Sequence, residues 1–257
     1  MAFKQEIKEL FVSGHEQYLR NVSVDCIIFG FHDGALKVLL LKANYADAWA
    51  LPGGFIGREE GMDEAAIRVL KQRTHLGDIY LQQFKVFGQS GRPTQKMNED
   101  KLKTLDIRSG ESWMFERFIT IGYYALVDFN KVNPTPDEFS TACEWFNVNE
   151  LPPMMLDHDE LIEDALSFLR HQLNYRPVGN NLLPEKFTMP ELQKLYETIL
   201  GRKLDRRNFQ RKILGVGILK KLEERKSGVA HKAPFYYKFD MRRYQKALEG
   251  GMGFQIQ

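Results

Sequence analysis

The chain is poor in cysteine: of its 257 residues only two, Cys26 and Cys143, carry a thiol, and neither sits in a spaced cysteine motif. That excludes a disulfide framework and a cysteine-built metal site, and fits a reducing cytoplasm as the expected location. Long apolar runs are also missing. No stretch approaches the roughly 18 uninterrupted apolar residues of a membrane span. The opening residues MAFKQEIKELF interleave charge with apolar side chains, so a secretory signal is not expected. Internal repeats and low-complexity tracts are absent too, and the formal net charge is only +2.

That small net charge is a cancellation. Residues 1–183 hold 19 Lys and Arg against 26 Asp and Glu, a balance of −7, whereas residues 184–257 hold 17 against 8, a balance of +9. A reversal of this kind marks a basic module made to meet a polyanion, attached to a module that is not. Arg176-Pro177-Val178-Gly179-Asn180-Asn181 has linker composition. The expected division is residues 1–175, a linker at 176–183, and 184–257.

In the acidic part, residues 3–20 read as a surface helix. Ser23 to Phe31 and Leu36 to Lys42 read as strands around an Asp33-Gly34 hairpin turn. Asp63 opens a helix with Ala66, Ile67 and Leu70 on one face. Strands are expected at Leu81–Phe87 and Phe118–Asp128, with a polar insertion from Gly88 to Ser112 between them. A patterned helix runs from Asp157 to Tyr175, with Leu161, Ala165, Phe168, Leu169 and Leu173 inward. Strands alternating with helices in this order indicate an α/β fold.

The run Trp49-Ala-Leu-Pro-Gly-Gly-Phe-Ile-Gly-Arg-Glu-Glu-Gly-Met-Asp-Glu-Ala-Ala-Ile-Arg-Val-Leu-Lys-Gln-Arg-Thr-His-Leu resembles the Nudix box and its leader. That box reads G-x5-E-x7-R-E-U-x-E-E-x-G-U, with U aliphatic. Gly54, Glu60, Arg68, Leu70 and Leu76 match it in register. The resemblance implies a Nudix-like sandwich, a mixed sheet between helices. It also implies three glutamates that bind Mg²⁺ beside a diphosphate, and here those positions hold Val69, Gln72 and Arg73. An aliphatic, an amide and a cation do not make a site for a hard divalent ion. His75 replaces the box glycine, with Gly77 as a candidate stop beyond it, and Glu60 with Arg68 reads as scaffold. The expectation is therefore no enzyme, no metal and no cofactor, but a retained pocket that binds an effector. The residues around the box expected to line that pocket are Trp49, Phe55, Arg58, Glu60, Trp113 and Phe115.

In the basic part, Thr188 and Glu191 have capping-box spacing. Leu192, Leu195, Tyr196 and Ile199 form an apolar stripe, and Gly201 ends the helix. Asp205 caps a second helix, Arg206 to Leu214, which buries Phe209 and Ile213. A basic turn, Arg225 to Lys232, and an alternating strand, Phe235 to Phe239, complete a winged helix-turn-helix order. The expected DNA contacts are Arg206, Arg207, Asn208, Gln210, Arg211 and Lys212 on the second helix, with Lys226, His231 and Lys232 on the wing.

Together the halves resemble the Nudix-related transcriptional regulators, which include the NrtR repressors of NAD metabolism and the AraR-type sugar-responsive regulators. The resemblance implies a homodimer binding a double-stranded DNA operator, with a small-molecule effector. The chain looks closer to the AraR branch, so L-arabinose is the first expectation and ADP-ribose the alternative. A Nudix hydrolase of ADP-ribose or sugar nucleotides and a non-specific RNA-binding adaptor stand as readings of other classes.

Overall fold

A computed structural model describes residues 2–44, 48–76, 79–94, 99–108, 110–173, 178–227 and 233–249. The chain divides into two compact units, residues 1–28, 38–125 and 133–165, and residues 29–37, 126–132 and 166–257.

The chain opens with α1 (Ala2–Ser13), β1 (Tyr18–His32) and β2 (Ala35–Ala43). The first helix stops at Ser13, well short of the expected Arg20, and it is a surface helix with Lys4, Gln5, Glu6 and Glu9 exposed. Ile7 and Phe11 are buried with Leu102 and Ile107. The expected Asp33-Gly34 turn is present, both residues adopting positive φ, 49° and 71°, which a two-residue hairpin of right-handed twist needs.

Next come β3 (Trp49–Ala50), β4 (Gly53–Gly57), α2 (Met62–Thr74), β5 (Gln82–Phe87), α3 (Glu99–Leu105), β6 (Ile119–Val127), β7 (Ser140–Asn147) and α4 (His158–Gln172). Among the described residues these strands form one sheet in the order β3-β2-β1-β6-β5, with β4 on β1 and β7 on β2. Residues 24–30 of β1 are buried without a break. Because successive side chains point to opposite faces, a continuous buried run means that both faces of the sheet are covered. The short strands β3 and β4 and the half-buried β7 escaped the sequence pattern. The described part of the Gly88–Ser112 insertion is structured: it contributes Arg92 to the interior, and α3 packs Leu102 against the first helix. Along α4, Leu161, Ile162, Ala165, Leu166 and Leu169 are buried, while Phe168 is half-buried.

The second unit continues with β8 (Phe187–Thr188), α5 (Met189–Leu200), α6 (Arg206–Gly215), β9 (Leu219–Arg225), β10 (Phe235–Phe239) and α7 (Met241–Glu249). The strands form a small antiparallel sheet, β8-β10-β9. Of the expected linker, residues 176 and 177 lie outside the described residues, and the remainder packs into this unit. Val178, Leu182 and Leu183 are buried, and the Val178 N–H donates to the Tyr196 hydroxyl at 3.2 Å.

The capping box of α5 has both of its reciprocal bonds, with the Glu191 N–H donating to Thr188 Oγ1 and the Thr188 N–H to Glu191 Oε2. Gly201 closes the helix at φ 69°. Thr188 is 2% exposed, and Thr188→Ala deletes the cap and leaves the Glu191 N–H without its side-chain acceptor. We expect a loss of about 1–2 kcal/mol, read as a lower urea midpoint for this unit by circular dichroism.

A degenerate Nudix cleft and a winged-helix surface

The box loop is held by the pair expected to be scaffold. Arg68 Nε donates to Glu60 Oε1 at 2.7 Å, and its Nη2 donates both to Glu60 Oε2 and to the Phe55 carbonyl oxygen, each at 2.7 Å. The Gly57 N–H donates to Glu60 Oε2. Hydrogen bonds from Arg68 hold the Glu60 carboxyl below its ordinary range. A depressed acid stabilises the fold at every pH above its unfolded value, and that contribution is lost as the pH falls through the folded one. Glu60→Gln removes the ion pair while keeping the shape. We expect it to cost about 1–2 kcal/mol at neutral pH and little below about pH 3, measured as paired melting curves.

At the helix entrance the acids are also occupied. The Tyr123 hydroxyl donates to Asp63 Oδ1 at 2.6 Å, and Glu64 accepts the Gly61 N–H. At the exit the box glycine's replacement, His75, takes the left-handed conformation itself, φ 57°, with its ring Nδ1 2.9 Å from Thr135 Oγ1. The expected Gly77 stop lies outside the described residues, and the helix has already ended at Thr74.

The three positions of the missing glutamates do not fit a divalent cation. The Val69 side chain packs against Gly54, so closely that a Cβ there would lie 2.8 Å from its Cγ2. Gln72 Oε1 accepts from Arg68 Nη1 at 3.0 Å. Arg73 donates from Nε to the Gly53 carbonyl oxygen at 2.9 Å and from Nη1 to Asp137 Oδ2 at 2.6 Å, with its guanidinium 5.0 Å from the Phe139 ring centre. A fixed cation therefore occupies the space beside β4, and no group of three His, Cys, Asp or Glu able to hold a metal exists among the described residues.

Two cavities meet at this point, both within the first unit. A narrow one of about 130 Å³ lies among β1, β2, β4 and the first helix. A wider one of about 760 Å³ lies over the box helix. Leu10, Gly54, Phe55, Arg73 and Phe139 line both. Val69, Gln72 and Arg73, the three positions of the missing glutamates, all line the wider one.

The polar wall of the narrow cavity is a braced network. Arg92 donates from Nε and Nη2 to both oxygens of Asp157, at 2.6 and 2.8 Å, and from Nη1 to Thr120 Oγ1 and the Phe87 and Phe118 carbonyls. Both side chains are 7% exposed. The Leu51 N–H donates to His158 Nδ1 at 3.0 Å. Asp25 lines the same cavity, and burial raises its pKa, an effect that the nearby charges of His158 and Arg92 only partly offset.

Of the six residues expected in the pocket, only Phe55 lines the cavities. Trp113 stands behind it, with ring centres 4.8 Å apart, buried and donating from Nε1 to the Leu10 carbonyl. Trp49 packs on Phe146 at 4.6 Å. Arg58 is spent on the carbonyls of His15 and Glu16, and Glu60 on Arg68. Phe115 joins the Phe11 cluster. Proximity to the box in sequence does not carry over to the cavity: these side chains are taken up by packing and hydrogen bonds elsewhere. The residues that do line it, Asp25, Arg73, Arg92 and His158, come from separate elements. A lone acid in the apolar run VSVDCIIF was the one available signal.

In the winged-helix unit, α6 is seated by Phe209 and Ile213, both buried, with Phe209 edge-on to Tyr196 at 5.3 Å. Asp205 caps it by accepting the Asn208 N–H. Arg206, Arg207 and Arg211 are exposed, and Arg211 Nη2 donates to Asn208 Oδ1. Gln210 and Lys212 are half-buried. Lys226 is bound to Glu191 at 2.6 Å, which ties the wing base to the capping box. His231 and Lys232 lie outside the described residues. Arg225, which opens the expected basic turn, and Lys221 are exposed with their charges 3.7 Å from the Phe235 ring centre, and neither is among the expected DNA contacts, nor is Arg242 on the unexpected α7.

Residues 19–165 match the Nudix domain family. The chain belongs to the Nudix family. Residues 179–239 match the NrtR DNA-binding winged helix domain, so this Nudix-family chain carries a DNA-binding domain of the NrtR type. Among its relatives is the ADPR responsive transcriptional repressor NtrR of Acinetobacter baylyi, 29% identical over 87% of this chain and 83% of that one. An ADP-ribose pyrophosphatase of Methanocaldococcus jannaschii is 27% identical over 63% of this chain and 83% of its own length. In fold, it resembles NrtR of Shewanella oneidensis, crystallised with a 27mer DNA, at TM-score 0.66 and 24% identity, covering 88% of this chain and 96% of that one. The expected sugar-responsive branch finds no support among these relatives. No described helix is long and apolar enough to cross a membrane.

Proposed function

We propose that this chain is a transcriptional repressor of the NrtR type whose Nudix domain binds ADP-ribose without hydrolysing it and whose winged helix binds an operator. One observation carries the reading: Arg73, locked between the Gly53 carbonyl and Asp137, puts a fixed cation beside the cleft where a hydrolase needs anionic metal ligands. A cation there still suits a diphosphate. The repressor from Acinetobacter baylyi supports the choice of ADP-ribose over L-arabinose.

In this reading Arg206, Arg207, Asn208, Gln210, Arg211 and Lys212 face the major groove, with Lys226, His231 and Lys232 near the phosphates. The protein acts as a cytoplasmic homodimer, the usual partner of operators with two half-sites about one helical turn apart. ADP-ribose favours a conformation with lower operator affinity, and by linkage the operator lowers ADP-ribose affinity by the same factor. A gel shift on the gene's own upstream DNA tests this. ADP-ribose abolishes the shift and L-arabinose does not; a shift abolished by arabinose alone, or no sequence-specific shift, overturns it.

The second reading, an ADP-ribose hydrolase, draws on the relative from Methanocaldococcus jannaschii. It requires Mg²⁺-dependent release of AMP, lost when Glu60 is replaced by Gln.

A further inference from the structure

Asp25 stands out within the narrow cavity. It is 6% exposed, its Oδ1 lies so close to Gly53 that a Cβ there would approach within 2.0 Å, and no described residue donates a hydrogen bond to it. The bonds that the polar groups around it make go to other partners: His158 Nδ1 accepts the Leu51 N–H, Arg92 donates to Asp157 and three further oxygens, and Arg73 donates to Gly53 and Asp137. A buried carboxyl without a donor destabilises the free protein. Such a group persists where a ligand supplies the missing partner.

The rest of the cavity says what that ligand part is. Phe55, Phe118, Phe139, Leu51 and Met155 give it flat aromatic and aliphatic walls. A planar heterocycle with one N–H donor satisfies Asp25 and covers these walls. A ribose has no flat face to lay against these rings. Arg73 and Phe55 line both cavities, so a group attached to the ring leads past the Arg73 cation into the wider cleft.

We propose that Asp25 is the residue that makes the effector site specific for adenine, accepting a hydrogen bond from the exocyclic amino group of the ring. The proposal rests on the ADP-ribose reading given above.

The test is calorimetric titration of the full chain with ADP-ribose and with its analogue carrying hydrogen in place of the 6-amino group. The wild-type protein prefers ADP-ribose by about tenfold or more, because the analogue leaves Asp25 unpartnered. Asp25→Ala binds both ligands equally and, without ligand, melts at a higher temperature than the wild type. Asp25→Asn, which keeps a carbonyl acceptor, keeps at least part of the preference. Equal affinity of the wild type for the two ligands overturns the role of Asp25 alone. So does a preference undiminished in Asp25→Ala, a preference lost as fully in Asp25→Asn, or a lower melting temperature in Asp25→Ala. Failure of ADP-ribose to bind the wild-type protein overturns the effector reading, and this proposal with it.

Discussion

Alanine at both Arg207 and Arg211 weakens operator binding roughly a hundredfold while leaving ADP-ribose affinity within twofold. Both side chains are exposed on α6, and the helix is seated by Phe209 and Ile213 rather than by its arginines. Exposed substitutions of this kind change stability by no more than about 0.5 kcal/mol, so the folded protein survives them. Each arginine bound to a base edge or phosphate is worth about 1–3 kcal/mol, and two of them together account for the hundredfold loss. Fluorescence anisotropy at several salt concentrations separates base readers from phosphate binders. Each phosphate that the variant no longer neutralises lowers the slope of log affinity against log salt by about 0.9. Less than a threefold loss moves recognition away from α6, with Lys221, Arg225 and Arg242 as the next surface to test.

The second large effect concerns the wall of the cavity. Arg92→Ala destabilises the first unit by about 3–5 kcal/mol, because it leaves Asp157 buried and unpaired and removes the donor to the Phe87 and Phe118 carbonyls. Replacing both partners, Arg92→Leu with Asp157→Leu, costs less than Arg92→Ala alone, since no buried charge remains. All three tryptophans, Trp49, Trp113 and Trp145, belong to the first unit, so urea unfolding followed by tryptophan fluorescence reports that unit by itself. The pH dependence has a definite sign. Burial pushes the Asp157 carboxyl up, but the hydrogen bonds and charge of Arg92 outweigh it and hold the carboxyl below its ordinary value. Its stabilisation is therefore full above about pH 4 and lost as the pH falls through the lowered value, and Arg92→Ala should flatten that part of the profile. A variant as stable as the wild type would mean that the network is decorative.

Local chemistry was well written in the sequence. Asp33-Gly34, the Thr188–Glu191 capping box and Gly201 each impose a backbone conformation through their own side chains or lack of one, and each is where the pattern placed it. The register of the box helix was legible for the same reason: Glu60 and Arg68 are eight residues apart and meet across one loop. The cavity was not legible. Asp25, Arg73, Arg92 and His158 converge only once β1 pairs with β4 and Arg92 turns inward from the loop after β5. Nothing local announces that convergence. Trp49, Arg58 and Phe115 illustrate the converse, sitting beside the motif in sequence while spending their side chains on Phe146, on carbonyls and on the Phe11 cluster. Short strands such as β3 and the half-buried β7 lack the alternation that marks a strand before its partners are known.

The charge reversal between the halves acquires a structural meaning in the same way. Three exposed arginines of the basic half lie on a helix whose inner face is fully used for packing, while Arg73 of the acidic half is turned inward to the cleft. One unit presents cations to solvent, and the other keeps a cation where a hydrolase would keep a metal.

The most direct test of a repressor that binds ADP-ribose without cleaving it follows both units in one sample. Labelled operator bound to the protein is titrated with ADP-ribose in the presence of Mg²⁺, anisotropy is recorded, and the nucleotide is then separated by chromatography. The predicted result is that the operator is released and that the ADP-ribose is recovered intact. Accumulation of AMP beyond the amount of protein present, or operator occupancy unmoved at saturating ADP-ribose, would contradict it.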